Sequence, residues 1–451
     1  MTEESKQNIH VAVLGAGPAG IFAARKLAET GYQVALINRD IKPGGLAEYG
    51  IFHNKHKMKE GLRKQFRQSL ALENLHYFGN LSIGSEQEIS LGDLQELGFD
   101  AILVTVGAQG TKWLGLPGEE LKGVFHAKDL VYHYNKLPPF SERSYDIGQR
   151  VICVGVGNVM LDIAHWCIRD LKVEEVIAVA RRGPADVKFT KKEMQIVAKN
   201  LDLPALDAEF ERTSAIMQGA AQDPEAAKNF IVSALDKAQE PISETRFRFE
   251  FLASPKALLG GDDGRVRAVE VNDTSLELRD GGGTKAVNTG TTREIECDTV
   301  VFCIGDKVDA SLGLPLDQWN EFAKHPQPAY PIDEVSFEAY DPGKEEAVEG
   351  IFLAGWAREA SSGLVGSARK DGISGAESMT AYLEASGKGQ DGAIEGLEAR
   401  AAQLSRPVIR KADVLELEAR EAALAAEKGL DEFKYASNAE MLDVMGLAVK
   451  S

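Results

Sequence analysis

The sequence predicts an α/β protein made of two three-layer Rossmann-like units, the second inserted in the first. Three observations carry that prediction. The apolar run His10-Val-Ala-Val-Leu ends in a glycine turn, Gly15-Ala-Gly17-Pro18-Ala19-Gly20, and opens into helix-like sequence from Ile21 to Glu29. A turn of the same kind, Val151-Ile-Cys-Val-Gly155-Val-Gly157-Asn158, comes 140 residues later and opens into Val159 to Asp170. Two further strand-to-glycine segments, Ala101 to Gly107 and Thr299 to Gly305, bracket the second unit.

The elements follow in order. Gly31 to Gln33 ends the first helix, and Val34 to Ile37 is the second strand of a βαβ unit. From residue 109 the chain changes character, with Gly115-Leu-Pro117-Gly118 and a polar stretch to Tyr145. The second βαβ unit starts at Val151 and has its second strand at Glu175 to Ala180. Residues 200–245 read as charged helix. Residues 246–305 alternate like a β-meander, with turns at Gly260 to Gly264 and Gly281 to Gly283. Gly350 to Trp356 is another strand-to-turn, and the Ala/Glu/Lys/Leu-rich tail, 386–451, reads as helical. The simplest division is 1–108 and 330–451 for the first unit and 109–329 for the second.

The 451 residues suit two domains, and a 44% hydrophobic, 27% charged composition is that of a globular protein. No apolar run reaches the roughly 18 residues a membrane helix needs. The short polar start, Met1 to Asn8, leaves no room for a secretion or transit signal. Cys153, Cys167, Cys297 and Cys303 are scattered, two of them in apolar runs, and read as buried small hydrophobes. They form no Cys-x-x-Cys pair and no four-cysteine cluster, so the chain carries neither a redox disulfide nor an iron–sulfur centre of its own. A reducing cytoplasm is the expected setting. The net charge of −18 argues against nucleic acid or an anionic membrane as partner, and requires an acidic protein partner to dock on a local basic patch.

Glycine turns at helix entries suit dinucleotides. They let the backbone approach a pyrophosphate, and the helix start offers free N–H groups and the positive end of a dipole. Two such turns predict two dinucleotides held side by side, as a hydride relay needs. In the first unit, Gly15, Gly17, Pro18, Ala19 and Gly20 form the turn. Asn38 and Arg39 stand where an acidic ribose ligand is usual. Gly45, Leu46 and Tyr49 belong to a glycine-dense loop downstream, and Gly107 ends another apolar strand. In the second unit, Arg181 and Arg182 follow Gly155 by 26 and 27 residues, and paired guanidiniums there suit the 2′-phosphate of NADP(H). The first site is then read as FAD.

With those motifs in place, the chain resembles the adrenodoxin-reductase-like ferredoxin–NADP⁺ reductases, within the wider group that includes the glutamate synthase small subunit. The likeness runs through Gly15 to Gly20, Gly45-Leu46…Tyr49-Gly50-Ile51, Tyr77 to Leu81, Leu116 to Glu120, and Gly157-Asn158-Val159…Leu161-Asp162. It continues through Arg181 to Pro184 with Phe189-Thr190…Lys192-Glu193, Gly355-Trp356…Gly363-Leu364-Val365, and Arg406-Pro407 in the tail. The resemblance implies the following roles. Gly15, Gly17 and Gly20 face the FAD pyrophosphate, Gly45 and Leu46 its phosphate and ribose side, and Leu81 its adenine side. Gly355, Trp356, Gly363, Leu364 and Val365 lie against the flavin. Asn158 and Val159 touch the NADP(H) pyrophosphate. Glu193 lies near the nicotinamide, where Asp162 orients a proton or water; Thr190 and Glu193 also read as a capping box. Where the family often has Ala-Pro-Asp-His, this chain has Phe52-His53-Asn54-Lys55, so counting puts Lys55 in the histidine's place, with His53 and His56 as substitutes.

The implied activity is electron transfer between NADPH and a one-electron iron–sulfur carrier such as ferredoxin, by a monomer, with Lys188, Lys191, Lys192, Arg246 and Arg248 as docking cations. Two other readings are an electron-input subunit of a larger complex of the glutamate synthase type, and a nucleotide-binding redox sensor without turnover.

Overall fold

The computed structural model describes residues 6–361, 363–389 and 392–447. The chain opens on β1 (His10–Leu14), buried along its length as a strand covered on both faces must be. The glycine turn leads into α1 (Pro18–Glu29), with Pro18 in the first turn, where a missing N–H leaves no gap in the helix. β2 (Gln33–Ile37), α2 (His56–Leu70), β3 (Leu75–Phe78) and β4 (Ala101–Val104) complete the first pass. Next come β5 (Val124–His126), β6 (Arg150–Val154), α3 (Asn158–Trp166), β7 (Glu175–Val179), α4 (Lys191–Val197), α5 (Leu203–Gly219), α6 (Pro224–Val232) and β8 (Arg246–Glu250). Three long strands, β9 (Ala253–Gly260), β10 (Val266–Leu278) and β11 (Thr284–Glu296), precede β12 (Thr299–Phe302). The chain then forms β13 (Glu338–Asp341), β14 (Glu346–Leu353), α7 (Val365–Ser386), α8 (Ala393–Ala401), α9 (Lys411–Glu427) and α10 (Asn438–Val444).

These elements group into two compact units. One comprises Met1–Thr111, Tyr132–Glu142 and Gly305–Ser451; the other comprises Lys112–Val131 and Arg143–Ile304. The first is built on a six-stranded sheet in the order β13-β14-β4-β1-β2-β3, parallel except for the β13–β14 pair. Strand alternation sorts its core into two layers. Val11, Val13, Val34 and Leu36 meet α1, α7 and α9 through Ile21, Leu27, Met379, Leu383 and Leu417. Ala12, Leu14, Ala35 and Ile37 meet Leu94 and, on α8, Ile394 and Leu397. Gly372 lets α7 lie against α1, because a Cβ there would sit 2.2 Å from the Ala19 carbonyl oxygen.

The second unit has a five-stranded parallel sheet in the order β5-β12-β6-β7-β8. Ile152, Val154, Ile177 and Val179 pack against Leu258, Val269, Val271 and Ile295 of the antiparallel β9-β10-β11 sheet. Its third layer is therefore a sheet. The expected meander is shorter than the 246–305 pattern suggested. β8 and β12 join the parallel sheet instead, because Val300, Val301 and Phe302 are apolar on successive positions and are covered on both faces. β8 forms the sheet's edge, and its alternation of Arg246, Arg248 and Glu250 with Phe247 and Phe249 resembles that of a meander strand. The four cysteines are all buried and unpaired. Among the described residues, no helix is long and apolar enough to cross a membrane.

Candidate functional site

The first glycine turn is shaped by close approach. Gly15 has φ +97°, and a Cβ on it would lie 2.7 Å from the Thr105 carbonyl oxygen. A Cβ on Gly20 would lie 1.8 Å from the Gly15 carbonyl oxygen, so strand end and helix start pack backbone to backbone. Thr105 fastens the same turn: its Oγ1 donates to the carbonyls of Leu14 (2.7 Å) and Gly15 (2.8 Å). Gly17 differs. It caps α1 without any side-chain cap, and a Cβ on it would meet nothing within 4 Å. The helix therefore opens its unpaired N–H groups onto free space, which suits a phosphate group. The loop of Gly44 and Gly45 comes to this rim. Gly44 N–H donates to the Ala16 carbonyl (2.6 Å), and a Cβ on Gly45 would lie 3.0 Å from the Gly17 Cα. Gly355 reaches it from another segment, with φ +64° and a notional Cβ 2.7 Å from that of Ala19.

Three of the expected ligand-contact residues have buried side chains. Asn38 is 7% exposed and spends its amide inside the loop. Its Oδ1 accepts from Ala16 N–H (3.1 Å), and its Nδ2 donates to the carbonyls of Asp40 (2.8 Å) and Lys42 (3.0 Å). Asn38 therefore braces the turn. Tyr49 is 2% exposed in a cluster with Tyr132 and Leu137, against which Leu46 packs. Leu81 is 1% exposed within the sheet core. Arg39 is exposed beside Asp40.

The Gly355-Trp356 turn is clamped onto α7. Asp371 accepts the Gly355 N–H (2.6 Å) and pairs with the Arg358 guanidinium, 2.5 Å at the closest atoms. Trp356 is half-buried in this turn, and Gly363 and Leu364 stand exposed at the start of the 22-residue α7. Gly107, at φ +73°, ends the segment after β4. Lys55 caps α2, where its carbonyl accepts from Lys59 N–H. His53 stacks on Phe52 at 4.5 Å between ring centroids. His56 lies 3.7 Å from Asp431.

Behind the Gly44–Tyr49 loop lies a buried ionic network that ties it to the tail. The Glu48 carboxylate pairs with Lys42 (3.5 Å), Arg63 (2.6 Å) and Lys434 (2.8 Å). Lys42 reaches Glu421 (2.5 Å), and Arg63 reaches Glu432 (2.6 Å). Burial alone would raise Glu48, but Lys42, Lys434 and Arg63 outweigh it and hold the carboxyl well below its usual range. Lys59, which donates to Asn135 Oδ1 (2.9 Å), goes the other way: burial, and then the Lys434 ammonium, push it down to about 7. The unfolded chain then binds more protons between pH 7 and the usual lysine value of about 10.4, so this lysine makes stability rise with pH across that window. Lys59→Met is expected to flatten that rise in urea-unfolding midpoints measured from pH 7 to 10. An unchanged slope contradicts the assignment.

The second turn repeats the first. Gly155 has φ +124°, and a Cβ on it would lie 2.6 Å from the Cys303 carbonyl oxygen. Gly157 caps α3 with no side-chain cap and open space where a Cβ would be. Val159 stands exposed in the first turn of α3, and Asp162 lies one turn beyond Asn158 on the same face. Asn158 Oδ1 accepts from Thr190 N–H (2.8 Å), which ties this turn to the start of α4. Thr190 Oγ1 accepts from Glu193 N–H (3.3 Å), so Glu193 has a capping position in the same neighbourhood. Arg181 and Arg182 line a cleft of about 370 Å³. Of the candidate docking cations, Lys188 and Lys192 are exposed and Lys191 is half-buried. Arg246 and Arg248 both pair with Glu175 (2.5 and 2.8 Å), because β7 and β8 are neighbours in register, and Arg246 stays exposed.

Comparison with known proteins agrees with this geometry. Residues 9–202 match the family described as pyridine nucleotide-disulphide oxidoreductase. The chain is 28% identical over 396 residues to the NADPH-ferredoxin reductase FprA of Mycobacterium leprae, covering 80% of this chain and 81% of that one. It is 28% identical over 416 residues to the mitochondrial NADPH:adrenodoxin oxidoreductase of Salvelinus fontinalis, covering 84% and 78%. Among solved structures, Mycobacterium tuberculosis FprA in complex with NADPH superposes with a TM-score of 0.80 at 25% identity, covering 97% of this chain and 99% of that one.

Proposed function

We propose that this chain, a member of the adrenodoxin-reductase-like family of NADPH–ferredoxin reductases, is an FAD-dependent oxidoreductase moving electrons between NADPH and a one-electron iron–sulfur carrier. FAD is assigned to the unit built on the six-stranded sheet and NADP(H) to the unit built on the five-stranded sheet; of the expected second unit, 109–329, the segments 132–142 and 305–329 fall in the first. The observation that carries the reading is the pair of open glycine caps, Gly17 and Gly157, each at a helix start on its own parallel sheet, the second with paired arginines lining a cleft nearby.

FAD, when bound, supplies the conversion between one two-electron and two one-electron transfers. The chain's own groups bind and position. Gly15, Gly17 and Gly20 shape the first pyrophosphate cradle, with Gly45 at its rim. Gly157, Asn158 and Val159 form the second. Arg181 and Arg182 hold a 2′-phosphate by charge-assisted bonds and so set the preference for NADPH over NADH. Trp356 would lie against the flavin. The α7 start at Gly363 to Val365 directs N–H groups and a positive dipole end toward negative charge there. Asp162 and Glu193 orient a proton or water at the nicotinamide end, and Lys55 takes the family histidine's place. No protein nucleophile is required, since positioning is the main catalytic contribution.

The assigned setting is the cytoplasm, and the assigned partner is an acidic ferredoxin docking on Lys188, Lys191 and Lys192. Cytochrome reduction by NADPH is expected to depend on added ferredoxin. Lys191→Glu/Lys192→Glu is expected to raise the ferredoxin KM on the order of tenfold, while ferricyanide reduction without ferredoxin is unchanged. An unchanged KM contradicts the docking assignment.

A further inference from the structure

We propose that the tip of the β10–β11 hairpin completes the 2′-phosphate site, with Arg279 and Lys285 joining Arg181 and Arg182 as its donors. The inference rests on the NADP(H) reading above and extends it to residues that lie about a hundred positions further along the chain.

The cleft at the end of β7 is lined by Arg181, Arg182, Arg279, Thr284, Lys285 and Ala286. Four of those six are cations, in a chain whose net charge is −18. Such a concentration of one sign is costly without an anion to share. A phosphate monoester carries about −1.5 to −2 at pH 7 and three acceptor oxygens, so it can engage several of these donors at once. Arg181, Arg279 and Lys285 are exposed, and among the described residues no ion pair joins them to a carboxylate. Glu277 stands opposite Lys285 in the hairpin register without pairing to it among those residues. Arg182 is partly balanced by Asp186 at 3.3 Å.

The hairpin does not reach this place by chance of a loose loop. It is bolted to the arginine turn at two levels. Thr274 Oγ1 on β10 donates to the Arg181 carbonyl (2.8 Å). Asp186 then takes three partners: Thr284 Oγ1 at the start of β11 (2.9 Å), Gln222 Nε2 (2.9 Å) and the Arg182 guanidinium. Thr284 is buried, and it is the residue that joins Arg279 and Lys285 to that anchor. Beyond it, Gly281, Gly282 and Gly283 all have positive φ, with nothing near their notional Cβ atoms. The tip is therefore a tight turn carrying the two cations on either side, and the strands below fix its reach. A 2′-hydroxyl has no charge for these groups to meet, so they act on NADP(H) and not on NAD(H).

The test is calorimetric titration of the purified full chain with 2′,5′-ADP and with ADP, two probes that differ in the position of one phosphate. The wild-type chain is expected to prefer 2′,5′-ADP. Arg279→Ala/Lys285→Ala is expected to weaken 2′,5′-ADP binding on the order of tenfold to a hundredfold, with ADP binding shifted less than about twofold. Arg279→Lys alone is expected to keep most of the affinity. Both residues are exposed, so the variants leave the core intact. Wild-type preference for 2′,5′-ADP retained in full by the double variant overturns the hairpin's role while leaving Arg181 and Arg182 in theirs. Equal binding of both probes by the wild-type chain overturns the NADP(H) reading itself.

Discussion

Gly17→Val is expected to give a folded, colourless protein. The glycine sits at φ −77°, a conformation open to any residue, and its missing Cβ would meet nothing of the protein within 4 Å. The side chain therefore costs the fold little and fills the space left for a phosphate at the start of α1. FAD retained through purification is expected to fall at least about tenfold, equivalent to ~1.4 kcal/mol of binding. Gly20→Val makes the contrast. There the added carbon would lie 1.8 Å from backbone, and the turn itself must give way. That variant is expected to lose secondary structure as well as flavin, by circular dichroism and absorbance on the same sample. A Gly17→Val protein that keeps stoichiometric flavin removes the first cradle from the account.

Glu48→Gln is the second large effect. The carboxylate is 2% exposed and faces three buried or nearly buried cations, on Lys42, Arg63 and Lys434. Removing one member of a buried ionic group leaves the others uncompensated, at a cost of about 3–5 kcal/mol. Lys42 keeps Glu421 and Arg63 keeps Glu432, so the loss is expected at the lower end of that range. The network joins the Gly44–Tyr49 loop to a tail more than 370 residues away in sequence. Flavin release and tail proteolysis are therefore expected to advance together in urea. A shift below about 1 kcal/mol shows that the network is surplus to the fold.

How far the sequence was legible depended on the range of the interactions. Both glycine turns and the strands and helices beside them were readable, because their chemistry is local: a positive φ at Gly15 and Gly155, a proline at the α1 start, continuous apolar strands. The arginine pair was readable for the same reason. What was missed is held by contacts between distant segments. Thr105 is one threonine after an apolar strand, and nothing nearby marks it as the clasp on Gly15. Asp371 and Arg358 are 13 residues apart on different elements and meet only because α7 returns past the Gly355 turn. The sequence marks a turn at Gly281 to Gly283 but gives no sign that Arg279 and Lys285 beside it meet Arg181 and Arg182. Position also misled. Asn38 occupies the usual ribose-ligand place, and nothing local marks it as the brace of its own loop. Arg246 and Arg248 were read as docking cations, and only strand pairing shows Glu175 beside them. Tyr49 and Leu81 matched a family pattern whose side chains here belong to the core.

Anaerobic titration of the purified protein with NADPH and, separately, with NADH, followed by flavin absorbance, distinguishes the two cofactor sites most directly. A yellow protein is expected, bleached by about one equivalent of NADPH, little affected by NADH at the same concentration, and reoxidised when a ferredoxin is added. A protein that binds no FAD even on reconstitution, or whose flavin both nucleotides leave oxidised, contradicts the assignment of those sites.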